Sequence, residues 1–251
     1  MLEDGDMFAE LRMELKAENL NYRKSSNLQG VIMEHIDEDY AEELHRKSVN
    51  PYSQFFIKEQ DKLYWYIRTL DKEAYEKLLL PISLLEKFEI KNGNIQVEIV
   101  KKSMTAFSEE NFLNEFYTED MPKYLEIEFL TPTAFKQRGK YIFYPDLQLI
   151  YGSLMRKYSA ISEQFEMNDE ETLQQLTEHS EIVRYRLQTK RFPMEGIEIT
   201  GFTGTICIAV RGPETMARYL RMLFRFGKYS GVGIKTAVGM GAILVKGGEN
   251  T

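Results

Sequence analysis

The sequence has 251 residues, 43% of them hydrophobic, which is enough to bury one large core or two cores of roughly 120 residues each. The single cysteine, Cys207, excludes an internal disulfide, and the three histidines are too scattered to have the spacing of metal ligands. The acidic N-terminus does not resemble a signal peptide, and no apolar run approaches the ~18 residues of a membrane span. We therefore expect a cytoplasmic protein without metal, cofactor or membrane partner.

The formal net charge of −7 argues at first against a nucleic-acid partner, but the charge is unevenly distributed. Residues 184–246 carry eleven Lys and Arg against three acids, a net of +8, whereas residues 1–180 carry 21 basic and 34 acidic side chains, a net of −13. Salt confines electrostatic effects to about 10 Å, so a locally basic surface on an acidic chain can bind phosphates. The same asymmetry is also compatible with an ordinary solvated face.

The first half of the sequence predicts the order strand, helix, strand, strand, helix, strand. The helix signal is an apolar residue at every fourth position from Leu28 to Leu44, with Asn27 as a plausible N-cap. Asp71 is expected to begin the second helix, which Pro81 interrupts. The predicted elements are 8–17, 28–44, 52–57, 63–69, 71–80 and 88–100, the last with a turn at 91–94.

An acidic stretch at 108–120 is the predicted connection between two domains, 1–120 and 121–251. The same order of elements begins again at Tyr124. The predicted elements are a strand from 124, a helix at 148–164, a polar insertion at 168–180, a hairpin at 182–210, a helix opened by Pro213 and a strand at 242–245. This order predicts an α+β fold of tandem ferredoxin-like (βαββαβ) domains with a C-terminal glycine-rich loop.

The most informative segment is 227–241, which holds five glycines among lysines and hydroxyl groups. Glycine permits positive φ and close backbone approach, so such a loop can turn N–H groups toward a phosphate. The usual nucleotide fingerprints are absent, which favours a polynucleotide backbone as ligand over a mononucleotide. The alternative is a glycine-rich hairpin packed against a neighbouring domain. The preceding helix is amphipathic, with Arg218, Arg221 and Arg225 between its apolar residues.

Three segments, in order along the chain, match one known family. They are Leu44-His45 with Asn50-Pro-Tyr-Ser53; Phe129-Leu-Thr-Pro-Thr-Ala-Phe135 with Tyr144-Pro-Asp146 and Gly152-Ser-Leu154; and Lys228-Tyr-Ser-Gly-Val-Gly-Ile-Lys-Thr-Ala-Val-Gly-Met-Gly241. Together they resemble the CRISPR-associated endoribonucleases that cut precursor CRISPR RNA, the Cas-six type of the RAMP superfamily. Members of that family have tandem ferredoxin-like domains, in agreement with the order of elements.

The resemblance implies metal-independent cleavage in which the 2′-hydroxyl of the RNA attacks the adjacent phosphate, leaving a 2′,3′-cyclic phosphate and a 5′-hydroxyl. That reaction needs a base, an acid and a cation near the phosphorane. Histidine suits the proton transfers because its pKa lies near neutrality.

The resemblance places His45 in the proton-transfer role, although a histidine stabilised at a helix C-terminus is the alternative. Lys47 is the nearest candidate cation, because Asn50 stands where the family usually has lysine. Tyr40 is a weaker candidate. His35 is another: on one ideal helix it would lie about 80° from His45, although an interface histidine is the alternative.

The resemblance also implies an RNA-binding surface in the second domain. Its expected residues are Gly231, Gly233, Lys235, Thr236, Gly239, Gly241, Lys228, Arg221 and Arg225. The expected partners are a CRISPR repeat transcript and the subunits of a CRISPR effector complex, with the protein a monomer or homodimer. A non-cleaving RAMP subunit that holds guide RNA and a phosphate-handling metabolic enzyme are the alternative functions.

Overall fold

The computed structural model describes residues 7–108, 111–112, 124–162, 169–194 and 196–246. In chain order the elements are β1 (Met7–Lys16), a 3-10 turn (Tyr22–Lys24), α1 (Asn27–His35), α2 (Glu38–Arg46), β2 (Tyr52–Glu59), β3 (Lys62–Thr69), α3 (Lys72–Ala74), a π-helical turn (Tyr75–Leu79), α4 (Leu80–Ser83), β4 (Lys87–Ile90), β5 (Ile95–Ser108), β6 (Tyr124–Thr133), β7 (Phe135–Gln137), β8 (Lys140–Ile142), α5 (Leu147–Ser159), α6 (Glu170–Glu178), β9 (Ser180–Met194), β10 (Ile197–Val210), α7 (Glu214–Ser230) and β11 (Ile243–Lys246).

Nine of the described strands form two larger antiparallel sheets that share one topology, and β7 and β8 form a separate two-stranded sheet. The first sheet has the order β2-β3-β1-β5-β4 and the second the order β11-β6-β10-β9. In each, the first strand of a βαββαβ unit lies between its third and fourth strands, and β4 is an additional edge strand of the first sheet. The prediction of tandem ferredoxin-like domains is confirmed.

Alternating side chains give each sheet one face that packs against its helices. In β1 the residues Ala9, Leu11, Met13 and Leu15 are buried in the core of the first domain, together with Val31 and Ile32 of α1 and Leu44 of α2. The core of the second domain joins the strands to α5 and α7. Cys207 is buried in β10 as a free thiol.

The predicted helix over 28–44 is two helices. Ile36 takes an extended backbone (φ −111°, ψ 170°), and Asp37 caps α2 because its side chain accepts a hydrogen bond from the Tyr40 amide at 3.1 Å. Apolar spacing every fourth residue cannot detect such a break, since the apolar residues of both helices pack into the same core. His35 and His45 therefore lie at the ends of different helices, and the 80° relation expected of one helix is wrong.

Other boundaries also differ from the sequence analysis; the helix predicted over 148–164, for example, ends at Ser159. Helical structure continues past Pro81 to Ser83, because the proline occupies the tolerated first turn of α4 after the π-helical turn. The polar insertion contains helix α6, capped by Asp169, whose carboxylate accepts from the Thr172 amide at 2.8 Å. The predicted domain boundary at 120/121 lies outside the described residues. Within the described ranges, no helix is both long and apolar enough to span a bilayer.

Helix α7 joins the two domains. The Phe226 and Tyr229 rings lie 6.2 and 5.7 Å from the Phe8 ring of β1, and the Tyr229 ring lies 5.3 Å from Phe107 of β5. Near its C-terminus α7 is thus covered on one side by its own domain and on the other by the first sheet.

Candidate functional site

The glycine-rich loop, residues 231–242, lies buried between the two domains. Its amides donate mainly to protein acceptors: Val232 to the Gly241 carbonyl, Gly233 to Ser153 Oγ, Ile234 to the Ala134 carbonyl, Val238 and Met240 to the Lys235 carbonyl, and Gly241 to the Pro132 carbonyl. Gly231, Gly233, Gly239 and Gly241 are all buried. The expectation that this loop turns its N–H groups toward a phosphate is wrong for these amides, and the alternative of a packed segment describes their environment.

Two glycines of this loop are required by backbone contacts. Gly233 (φ 81°) and Gly241 (φ 71°) have left-handed conformations. A Cβ on Gly233 would collide with the Ala134 carbonyl oxygen, and a Cβ on Gly241 with the Val232 carbonyl oxygen. The motif at these positions is therefore explained by close packing of two backbone segments.

The C-terminal carbonyls of α7 have partners from both domains. A helix leaves its last four carbonyls without helical partners. Here Arg68 of β3 donates to the Lys228 carbonyl and Ser53 of β2 donates to the Tyr229 carbonyl. The Ser230 and Gly231 carbonyls accept from Lys157 Nζ of α5, at 3.1 and 2.9 Å. The end of α7 is thus fixed by three side chains.

Lys157 is a buried lysine, 7% exposed, with three hydrogen bonds from one ammonium group. Besides the two carbonyls it reaches Thr236 Oγ1 at 3.1 Å. Burial, with a smaller contribution from the neighbouring Arg156 charge, lowers the pKa of Lys157 to about 7. A neutral amine can still donate to both carbonyls and accept from the Thr236 hydroxyl, so all three contacts are compatible with either protonation state.

Lys235 differs from its neighbours because its side chain is exposed. Its backbone is left-handed (φ 59°), a conformation that is uncommon for a residue other than glycine. Its carbonyl holds the conformation by accepting from the Val238 and Met240 amides at 3.0 and 3.2 Å. Thr236 is buried, and its carbonyl accepts a hydrogen bond from the backbone N–H of Gln54 in β2 at 3.1 Å. This bond connects the loop to the first domain.

The predicted arginine surface of α7 is only partly accessible. Arg221 is 8% exposed, and burial lowers its pKa, which corrects the expectation that it lies on an RNA-facing surface. Arg225 and Lys228 are half-buried. The physical reason is that α7 packs on both domains, so a helix that looks amphipathic in sequence has little solvent-facing surface near its C-terminus.

His45 lies in the last turn of α2 and is exposed. His35 ends α1, is half-buried, and its Nδ1 lies 2.8 Å from the Val31 carbonyl oxygen, so one ring nitrogen is engaged within its own helix. Of the two, His45 presents the more accessible imidazole.

The other two candidates around His45 are constrained. The Lys47 ammonium pairs with Glu43 at 2.8 Å and lies 3.8 Å from Glu73. Tyr40 is 2% exposed, its hydroxyl is buried without a hydrogen-bond partner among the described residues, and burial raises its pKa. Tyr40 is therefore closed off from a ligand in solvent, whereas Lys47 is partly exposed but already paired.

Comparisons with known proteins agree across the chain. A protein named CRISPR-associated endoribonuclease Cas6 from Streptococcus thermophilus is 34% identical over 217 residues, 86% of this chain and 89% of its own length. One of the same name from Mycobacterium tuberculosis is 36% identical over 223 residues, 88% of this chain and 71% of its own length. The family profile "CRISPR-associated endoribonuclease Cas6" matches residues 127–243. The chain belongs to the Cas6 family.

Solved Cas6 structures share the fold. A Cas6 product complex superposes with a TM-score of 0.80 at 22% identity, covering 96% of this chain and 99% of that chain. Thermus thermophilus Cas6 superposes with a TM-score of 0.74 at 22% identity, covering 97% and 100%. Both ferredoxin-like domains of this chain thus have counterparts in solved Cas6 structures.

Several residues of this Cas6-family chain were not singled out from sequence. Ser53, Arg68, Ser153 and Lys157 bond the loop and the end of α7. Ser53 and Ser153 fell within recognised motifs, whereas Arg68 and Lys157 did not. On edge strand β9 the exposed basic residues are Arg184, Arg186, Lys190 and Arg191. Arg184, Arg186 and Lys190 are separated by two and four residues, which was a usable signal, because alternate residues of a strand share a face. Among the described residues, no three His, Cys, Asp or Glu side chains form a metal-binding group.

Proposed function

We propose that this protein cleaves CRISPR repeat transcripts (pre-crRNA) to guide RNA by attack of the RNA 2′-hydroxyl on the adjacent phosphate. The O2′–P bond forms as the P–O5′ bond breaks, which leaves a 2′,3′-cyclic phosphate and a 5′-hydroxyl. The observation that carries the proposal is 34–36% identity to named endoribonucleases across both domains. The exposed His45 at the end of α2 supplies a group suited to this chemistry.

His45 acts in this proposal as the base that takes the 2′-proton or the acid that protonates the leaving 5′-oxygen. An exposed imidazole can approach RNA without rearrangement of the core. Lys47 can stabilise the phosphorane only by exchanging its ion pair with Glu43 for the phosphate. Lys235, on the loop tied to β2, is a better-placed cation for a phosphate.

The backbone of Lys235 supports this role. A left-handed φ costs a side-chain-bearing residue about 1 kcal/mol or more, and glycine would relieve that strain. The loop uses glycine at its other left-handed positions, Gly231, Gly233, Gly239 and Gly241, but retains lysine here. Because strain is tolerated most often where it serves function, we assign the Lys235 ammonium to an RNA phosphate.

The exposed basic residues of β9 extend this surface in the proposal. Arg184 pairs with Glu126 at 3.2 Å and Arg191 with Glu198 at 3.2 Å, whereas the Lys190 ammonium lies 3.8 Å from the centroid of the Tyr22 ring. Phosphates compete with such exposed pairs, which are individually weak. We further propose that the protein acts in the cytoplasm, as monomer or homodimer, and can hand its product to subunits of a CRISPR effector complex.

The mechanism is tested with a repeat RNA and no added metal. Cleavage continues in excess EDTA, and the upstream fragment ends in a cyclic phosphate, if the 2′-hydroxyl is the nucleophile. A 2′-deoxy substitution at the scissile nucleotide abolishes cleavage and leaves binding nearly unchanged. Loss of activity in EDTA would refute the mechanism. Tight binding of the all-ribose repeat without any cleavage would indicate instead a non-cleaving RAMP-type RNA-binding subunit.

A further inference from the structure

Thr236 is the point at which the glycine-rich loop contacts both domains. Its hydroxyl accepts from Lys157 Nζ of α5 in the second domain, and its carbonyl accepts from the Gln54 amide of β2 in the first. The preceding residue, Lys235, is exposed and left-handed. The direction of the Lys235 side chain therefore depends on how Thr236 is held.

Lys157 holds the loop at two separated places. Its ammonium contacts the Ser230 and Gly231 carbonyls where α7 ends and the Thr236 hydroxyl in the middle of the loop. Ser153, four residues earlier and therefore on the same face of α5, accepts from the Gly233 amide at 2.9 Å. One face of α5 thus fixes the beginning and the middle of the loop.

Burial of Lys157 has a physical cost that an apolar residue would avoid. A buried ammonium is tolerated only where its hydrogen bonds are satisfied, and all three of its protons have an acceptor here. A methionine of similar length would fill the space without desolvating a charge. The three acceptors around Lys157 therefore explain why this position holds a polar side chain that connects them.

We propose that Lys157 is a positioning residue, which acts through Thr236 to hold Lys235 in the orientation that meets RNA. The inference rests on the proposed RNA contact of Lys235. Lys157 itself, inside the protein, does not touch the substrate. Its removal raises the Kd for RNA and leaves the rate of the chemical step at saturating RNA unchanged, because His45 lies on another element.

The test uses a matched pair at the acceptor. Thr236→Val keeps the methyl group, which packs against Gly231 and Gly241, and removes the hydroxyl; Thr236→Ser keeps the hydroxyl and removes the methyl. We expect Thr236→Val to raise the Kd about 10-fold and Thr236→Ser to stay within about twofold of wild type. Lys157→Met should resemble Thr236→Val, and the double variant should bind RNA no more weakly than Lys157→Met, because both changes remove the same Lys157–Thr236 hydrogen bond. Lys87→Met, at an exposed position of edge strand β4, is the control for loss of a lysine.

Hydrogen exchange of the loop amides in the absence of RNA measures directly how firmly the loop is held. Thr236→Val should accelerate exchange at residues 235–240, and Thr236→Ser should not. Wild-type exchange rates in Thr236→Val would overturn the inference. It would also be overturned if Thr236→Val exchanged faster but bound RNA with an unchanged Kd, while Lys235→Ala raised the Kd. An unchanged Kd in Lys235→Ala would instead refute the RNA contact, since the exchange rates do not depend on it. If Lys157→Met does not fold, the Thr236 pair decides by itself.

Discussion

The loop between α7 and β11 is buried and hydrogen-bonded from both domains, whereas the last turn of α2 is open to solvent. In the loop, a side chain added at Gly241 would collide with backbone, and Thr236 is bonded on two sides. At the end of α2, His45 is exposed. Both regions carry motif residues, but most of the loop motif maintains the structure, and exposed residues such as His45 and Lys235 remain available to a ligand.

The largest effect is expected where the loop backbone packs most closely. Gly241→Ala should lower the free energy of unfolding by about 3 kcal/mol, because left-handed strain is added to a collision with the Val232 carbonyl. The control is Gly139→Ala, which has the same sign of φ but open space around its Cβ, and should cost about 1–2 kcal/mol. Urea unfolding measures both. Equal losses would show that strain alone explains the glycine at 241.

The next effect concerns chemistry at the exposed histidine. His45→Ala should reduce the single-turnover cleavage rate about 10²-fold or more, with RNA affinity and thermal stability near wild type. His179→Ala removes a histidine that ends α6, also exposed, and should leave the rate unchanged. Full activity in His45→Ala would refute the assignment and direct attention to His35.

The buried lysine predicts a pH dependence of stability. The unfolded chain keeps the Lys157 proton up to an ordinary pKa of about 10.4, whereas burial lowers the pKa in the folded protein to about 7. Between these values the unfolded state binds more protons, so this group makes the free energy of unfolding increase as pH rises. The stability of wild type relative to Lys157→Met should increase by about 2 kcal/mol from pH 7 to 9.

Urea unfolding at pH 7, 8 and 9 measures that difference. The exposed Lys87→Met serves as the control and should show no comparable change. A difference between wild type and Lys157→Met that stays constant across this range would contradict the assigned lowering of the pKa.

The smallest effect is expected at Lys235, where one substitution should change stability and RNA binding in opposite directions. Lys235→Gly should raise the free energy of unfolding by about 0.5–1 kcal/mol, because glycine accepts φ 59° without strain. The same change should weaken RNA binding a few-fold and reduce the slope of log K against log salt by about 0.7 for one lost contact to single-stranded RNA. A more stable variant with unchanged salt dependence would remove Lys235 from the RNA surface.

The sequence by itself determined the order of the elements that form the two large sheets, the tandem ferredoxin-like topology and the family. Alternation in β1 and the cap at Asp71 are local signals, and such signals place strands and helices. The N-cap expected at Asn27 is wrong, because Asn27 is the first residue of α1 and follows the cap residue Ser26. The sequence could not separate α1 from α2, because the extended residue Ile36 lies within an uninterrupted apolar repeat.

Only the tertiary structure decided which site candidates are accessible. Arg221 and the loop glycines look like an RNA surface in sequence, yet α7 packs against both domains and buries them. Lys157 looks like a surface lysine, yet it lies inside and bonds two carbonyls and Thr236. Such contacts join residues more than seventy positions apart. Because burial and hydrogen bonding depend on how separate elements pack, no local pattern in the sequence specifies them.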